Sequence, residues 1–224
     1  MIFIQHTYTW KTGSDTSFIN LFSLGEVKEQ LTDQQIEHFR FYADGMLMVK
    51  ALRFLRGKTV ERTSFDDTSI APLVFQKAVE EKLSVGLIGG GNATAAKIRD
   101  VLKAKYSELN IRLVSPGYFE TSNQREKVIT EAQGIDIIVI AMGGGRQERM
   151  LLELRDKGWQ GTGFTCGGYF DQLVDADGED YYPDFYDRHN LRWLYRLKKE
   201  PRRLLARYFV QYPVRCFKYI KFVG

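Results

Sequence analysis

The sequence predicts an α/β fold of Rossmann-like type: a mostly parallel sheet with helices on both faces, followed by a basic helical appendage. Three observations predict it. Short apolar runs alternate with helix-patterned segments between residues 83 and 166. Glycine clusters stand where those runs end. The charge changes character near residue 188. Strand–helix alternation with short links is the pattern of a parallel sheet covered on both faces.

The N-terminal part is the less regular one. Gln30 to Arg40 is helical in pattern, Phe41-Tyr42-Ala43 reads as a strand leading into Asp44-Gly45, Met46 to Arg56 as a helix, and Val60 to Ser64 as a further strand. Leu83 to Ile88 is a short buried strand, followed by Gly89-Gly90-Gly91 and a helix from Asn92 or Thr94 through Ala104. Ile111 to Val114 is the next strand, ended by Ser115-Pro116-Gly117, and a helix follows from about Asn123 to Gln133. Ile135 through Met142 is near-continuously apolar, as a strand buried on both faces must be, and Gly143-Gly144-Gly145 breaks it. A helix from about Gln147 to Lys157 and a strand at Gly161–Cys166 complete the alternation. The charge shift and Tyr181-Tyr182-Pro183 divide the sequence into an α/β domain at 1–187 and a basic amphipathic appendage at 188–224.

With 224 residues and 44% hydrophobic content the chain has material for a sizeable core without disulfides. Its two cysteines, Cys166 and Cys216, have no metal-ligand spacing and fit a reducing compartment. The start, Met1-Ile2-Phe3-Ile4-Gln5-His6, is too short and polar for a signal peptide, and no apolar run nears the ~20 residues a membrane helix needs. The expectation is a cytoplasmic protein that is not integral to a membrane.

Residues 188–224 carry 11 Lys+Arg against one acid, a net of +10, and the remainder holds 21 bases and 27 acids, a net of −6. Such asymmetry calls for a polyanionic partner. In the basic segment Trp193, Leu194, Tyr195 and Leu197 alternate with Arg192, Arg196, Lys198 and Lys199, and Val214, Phe217 and Ile220 interleave with Arg215, Lys218 and Lys221. Basic, aromatic-rich amphipathic helices settle at lipid headgroups. The same pattern also describes helices packed on their own domain with a solvated basic face. No nucleic-acid module surrounds the segment, and no nucleic-acid partner is expected.

Several positions carry candidate chemistry. Gly89-Gly90-Gly91 joins a strand to a helix, which suits a phosphate cradle and equally a tight turn needing positive φ. Gly143 to Glu148 repeats that geometry at a second strand end, with Gln147 and Glu148 at a helix start where ligands of open parallel sheets bind; an exposed first helical turn has the same composition. Asp44 at a strand's end is placed for a general base, and Asp-Gly is also a common turn pair. Asp175-Ala176-Asp177 has the form of a cation-binding carboxylate pair, but it lies in an acidic Gly-containing stretch that reads as a solvated loop, and no metal site is assigned. His6, His38 and His189 are scattered and form no catalytic pattern.

Together these segments resemble the WecB/TagA/CpsF glycosyltransferases, glycosyltransferase family 26, over most of the chain. Asp44-Gly45 matches the family's DG, Arg62 to Ser69 its R-x-S/G-x-D segment, Ile88-Gly89-Gly90 its (L/I)GG turn, Gly117-Tyr118-Phe119 its GYF, and Met142 to Glu148 its M-G-x-P-x-Q-E. The tail from Leu191 to Arg203 is similar to the family's W-L-Y-R-L and E/Q-P-x-R motifs. Two departures stand out. The family's Thr-x-Asn is Phe18-Ile19-Asn20 here, so only Asn20 carries over, and Gly145 replaces the family's proline.

The resemblance implies an inverting, metal-independent transfer, without cofactor, of an N-acetylmannosamine-type or related hexose from a UDP-sugar to a polyprenyl-diphosphate-linked sugar. It implies work at the inner membrane face, in cell-envelope or exopolysaccharide synthesis. Asp44 is then the base, with Arg62 and Gln147 as catalytic partners. Asn20, Gly45, Asp67, Gly89, Gly90, Tyr118, Gly143, Glu148, Arg192, Arg196 and Arg203 are substrate contacts, Asp67 either orienting Arg62 or meeting donor hydroxyls. The tail has two tasks, docking on anionic lipid and closing over the donor. An oligomer of identical chains stays open. The alternatives are a nucleotide-binding protein of the membrane surface without catalysis, and a dinucleotide-dependent oxidoreductase, which lacks the spaced-glycine fingerprint.

Overall fold

A computed structural model describes residues 1–179, 181, 184–188, 192–199 and 201–224, without the side chains of Asp184, Asp187, Arg192, Trp193, Arg196, Arg203, Arg207 and Tyr208. Six strands form one sheet: β1 (Asp15–Ile19), β2 (Phe39–Ala43), β3 (Ser84–Gly89), β4 (Asn110–Ser115), β5 (Ile137–Ala141) and β6 (Thr162–Thr165). Their order is β2-β1-β6-β5-β3-β4 and every pairing is parallel. All six strands therefore end on one edge. The chain leaves β3 toward β4 and leaves β5 toward β6, in opposite directions, so the β3/β5 boundary is the switch point where open sheets of this kind admit a ligand.

The helices after β1 and β2 are α1 (Leu21–Gln30), α2 (Asp33–Glu37), α3 (Met46–Arg56) and α4 (Ile70–Glu80). α5 (Asn92–Lys105), α6 (Ser122–Ala132), α7 (Arg146–Asp156) and α8 (Tyr169–Asp175) follow β3, β4, β5 and β6. The basic segment forms α9 (Asp184–Arg188), α10 (Arg192–Lys199), α11 (Pro201–Ala206), a π-helical turn at Arg207–Gln211, α12 (Tyr212–Tyr219) and a 3-10 turn at Ile220–Phe222.

The sheet separates two apolar cores. In β5, Ile138 and Ile140 face one, with α1, α3 and α7, while Ile137, Val139 and Ala141 face the other, with α4, α5 and α8. Period-two alternation with both faces buried is why this strand reads as a continuous apolar run.

Three expectations are corrected. The strand at β1 is absent from the sequence reading, because Asp15, Thr16 and Ser17 are polar; all five of its residues are nevertheless buried. The helix expected over Gln30–Arg40 is confined to α2: the backbone is extended at Leu31, Thr32 starts the helix with a capping box to Gln35, and Phe39 and Arg40 already belong to β2. The strand expected at Val60–Ser64 is reduced to a single bridge, Ala43 to Arg62.

The end of the basic segment belongs to the first core. Cys216, Tyr219, Ile220 and Val223 share it with Ile2 and Leu24. Ile2 and Val223 form a parallel bridge, with Ile2 N–H donating to Phe222 O at 2.9 Å. Arg215 donates to Phe22 O at 3.0 Å, pairs with Glu26 at 2.6 Å and lies 4.3 Å from the Phe22 ring centre. Gly25 permits this approach, since a Cβ there would sit 2.6 Å from the Arg215 guanidinium. The opposite face of α12 carries Val214 and Phe217, the latter 77% exposed. Both sequence readings of the tail thus have a structural counterpart, a packed face and an exposed apolar-basic face. Among the described residues no helix is long and apolar enough to cross a membrane.

Candidate active site

The carboxyl edge of the sheet gathers the turns singled out in the sequence. β1 ends at Asn20, the N-cap of α1, whose side-chain oxygen accepts from Phe22 N–H at 3.0 Å and Ser23 N–H at 3.1 Å. Its amide nitrogen is then turned toward the end of β2, 3.4 Å from Asp44 Oδ2. Asp44 is itself held by its backbone, which donates to Ile19 O at 2.9 Å. Gly45 follows with φ 81°, a conformation glycine adopts without strain, and a Cβ there would meet nothing within 4 Å. Asp44 is half-buried.

Arg62 reaches the same place from the next loop. Its bridge to Ala43 and the bond from Thr63 N–H to Ala43 O, 2.9 Å, set it one residue from Asp44 along β2. Asp66 grips the guanidinium at 2.5 Å, and Ser64 accepts from it at 2.6 Å. The orienting acid is therefore Asp66. Asp67, assigned that role or a donor contact from the sequence, accepts from Tyr169 OH at 2.9 Å and pairs with Lys105 at 3.1 Å. Both bonds engage the Asp67 carboxylate with groups other than Arg62. Burial and the Asp67 charge together push the Tyr169 hydroxyl far above its ordinary pKa, keeping it a neutral donor.

At the switch point β3 and β5 are laced together. Gly90 N–H donates to Ala141 O and Gly117 N–H to Gly90 O, both at 3.0 Å. Gly89 and Gly90 have positive φ, and a Cβ on Gly89 would run into Ala141. These glycines serve close approach, and the Gly90 N–H is already engaged. The donors left for an anion are the first N–H groups of α5, which have no partner within the helix.

The β5 turn is built on two buried side chains. Glu148 Oε1 accepts from Ser17 at 2.6 Å and from the Gln147 amide at 3.2 Å, and Oε2 accepts from Gly145 N–H at 2.6 Å. Gln147 Oε1 accepts from Gly167 N–H at 3.2 Å, tying the β5 turn to the β6 turn. Burial pushes the Glu148 pKa up, against these hydrogen bonds. In this conformation both are braces below the surface rather than groups facing a ligand. Gly145 has φ 79°, which proline cannot adopt, and its N–H, which proline lacks, is the one that Glu148 accepts. Gly143 also has positive φ, and Arg146 beside it covers the 64%-exposed Tyr118 ring, 5.5 Å from its centre.

One acid at this edge escaped the sequence reading. Asp171, in the first turn of α8, accepts from Thr94 in the first turn of α5 at 2.6 Å, and Gly90 has a Cα whose absent Cβ would lie 3.3 Å from that carboxylate. The signal was available: Gly167-Gly168 follows β6 and precedes a helix, as glycines do after β3 and β5. Asp175 closes α8 and Asp177 has φ 50° in the turn beyond it. Among the described residues no three His, Cys, Asp or Glu side chains converge as a metal site. The side chains of Arg192, Arg196 and Arg203, expected to contact substrate, lie outside the described residues, and so does His189.

Known proteins resemble the chain over most of its length. The family described as "Glycosyl transferase WecG/TagA/CpsF family" matches residues 16–222. A UDP-Gal:alpha-D-GlcNAc-diphosphoundecaprenol beta-1,4-galactosyltransferase of Shigella boydii is 32% identical over 207 residues, 91% of this chain and 84% of that protein.

Proposed function

From the premise that the chain belongs to the WecG/TagA/CpsF glycosyl transferase family, we propose that it moves a hexose from a UDP-sugar to a sugar carried on a polyprenyl diphosphate, with inversion and without a metal. The Shigella relative, by its name, takes galactose from UDP-Gal to a GlcNAc-diphosphoundecaprenol. We extend that acceptor class to this chain and leave the hexose to experiment.

The observation that carries the reading is the Asp44 carboxylate beside Asn20 and next to Arg62 on the carboxyl edge. In the proposed step Asp44 takes the proton from an acceptor hydroxyl. That oxygen forms a bond to the anomeric carbon as the bond from that carbon to the phosphate oxygen breaks. UDP leaves with the electron pair, and Asp44 later returns its proton to water. A base contributes about 10²–10⁴-fold. The departing diphosphate needs positive charge, which Arg62 and the first turn of α5 supply on this reading. Tyr118 under Arg146 offers a flat, exposed ring to a base, and Asp171 with Thr94 offers acceptors for hydroxyls. The exposed face of α12 rests on anionic lipid at the inner membrane surface, where a lipid-linked acceptor waits.

A donor screen tests this. UDP-galactose, UDP-glucose and UDP-N-acetylmannosamine are offered with a GlcNAc-diphosphate prenol, with and without EDTA. Transfer from one of them that survives EDTA is expected. Turnover with none removes the proposed reaction, and turnover lost in EDTA removes the metal-independent mechanism.

A further inference from the structure

α3 starts at the residue after Asp44-Gly45, at the carboxyl edge, and runs back along the face of the sheet, with Met48 and Leu52 in the core beside Phe39 and Phe41 of β2. Its inner side is fixed by Met48 and Leu52, both fully buried. Its outer side breaks the usual rule for a surface helix, because it is apolar where it is most exposed: Leu47 at 40% and Phe54 at 80%. Leu47, Lys50 and Phe54 are spaced by three and four and so share one face. Lys50 and Arg53, three apart, form a basic ridge along it, and among the described residues neither is paired with a carboxylate. Arg56, by contrast, is tied inward, donating to Val223 O at 3.0 Å.

The order along the axis is the informative part. A rise of 1.5 Å per residue puts Lys50 about 6 Å, and Phe54 about 12 Å, beyond the first residue of α3. Moving away from the carboxylate, an incoming molecule meets a cation after roughly the length of one sugar ring, and then an apolar ring. A sugar on a prenyl diphosphate has that sequence of parts: hydroxyl, dianionic bridge, hydrocarbon. Resting on the acceptor class proposed above, we propose that the outer face of α3 is the acceptor's rail. Lys50 and Arg53 meet its diphosphate, and Leu47 and Phe54 carry the first isoprene units. A diphosphate between two otherwise uncommitted bases gains charge-assisted hydrogen bonds, and covering Phe54 removes apolar surface from water.

The test uses the full chain in detergent and two acceptors with the same GlcNAc diphosphate, one on a long prenyl chain and one on a short water-soluble alkyl chain. Binding of each is measured by calorimetry, transfer on the same samples, and retention on phosphatidylglycerol vesicles separately. Phe54→Ser is expected to weaken the prenyl acceptor about tenfold more than the short-chain one. Lys50→Gln with Arg53→Gln weakens both about tenfold, and Lys50→Arg with Arg53→Lys restores both. Equal effects of Phe54→Ser on the two acceptors overturn the rail. Lost vesicle retention with unchanged acceptor binding in detergent also overturns it, assigning the face to the bilayer. The binding ratio judges the rail whether or not transfer occurs, and transfer judges the reaction.

Discussion

The two ends of the sheet use buried acids in opposite ways. At the amino end of β1, Asp15 is fully buried between Arg155, at 2.7 and 3.0 Å, and His38, at 2.6 Å. At the carboxyl end Glu148 is equally buried, but its partners are a hydroxyl, an amide and a backbone N–H, all neutral. Burial pushes both carboxyls up; for Asp15 the hydrogen bonds and charges of His38 and Arg155 outweigh it and hold the pKa below the ordinary value, while for Glu148 burial wins. One end is locked by charge. The other is braced by neutral bonds beneath a surface where Asp44 and Arg62 stand half-buried at the open edge. On the proposed reading the amino end serves stability and the carboxyl end serves chemistry.

Removing the charge lock is the largest break. Asp15→Ala leaves the Arg155 guanidinium, which is 14% exposed, without its acid. A loss of about 3–5 kcal/mol is expected, a fall of roughly 10 °C in Tm, read by calorimetry. Arg62→Gln probes the other end. It is expected to cost about 10²–10³ in kcat with Tm nearly unchanged, read by initial rates beside a melting curve. A melting loss as large as that of Asp15→Ala would erase the distinction between the two ends.

The pH dependence sharpens it. The Asp15 pKa is depressed on folding, so its contribution is present above the unfolded pKa and is lost as pH falls through the folded one. The Glu148 pKa is raised on folding, so its contribution is complete below the unfolded pKa and declines as pH rises through the folded one. Glu148→Gln is expected to flatten the decline of Tm above pH 4.5 and leave the acid limb alone, measured by melting from pH 3 to 8. An unchanged profile would mean that the buried carboxyl is not what titrates there.

The smallest effect concerns the tail. Arg215→Gln removes a partly exposed ion pair and the cover on Phe22, and about 1–2 kcal/mol is expected in urea unfolding. Truncation after Asp187 is the poorer probe of lipid docking, because it also removes Tyr219, Ile220 and Val223 from the core.

These contrasts also explain what was legible in the sequence. β5 declares itself, since both faces are buried and every residue is apolar. The span of α3, Met46–Arg56, follows from its pattern and from Gly57, which closes it with φ 63°. β1 does not declare itself. Its Asp15 and Ser17 are buried only because Arg155 and Glu148 arrive from more than 100 residues away, and no local pattern records such partners. At the site, the turns and Asp44 were readable because glycine and strand-end carboxylates leave local marks. The choice of Asp66 over Asp67 for Arg62, the inward turn of Gln147 and the approach of Asp171 to Thr94 depend on which loops meet, which only the assembled sheet decides.

The central claim is that Asp44 takes the acceptor's proton. The most direct measurement is single-turnover transfer by Asp44→Asn, with the donor prebound and its affinity determined on the same preparation. A rate about 10²–10⁴-fold below that of the unmodified protein, with donor affinity and Tm retained, is the predicted result. A rate within a few-fold of the unmodified one would contradict the assignment.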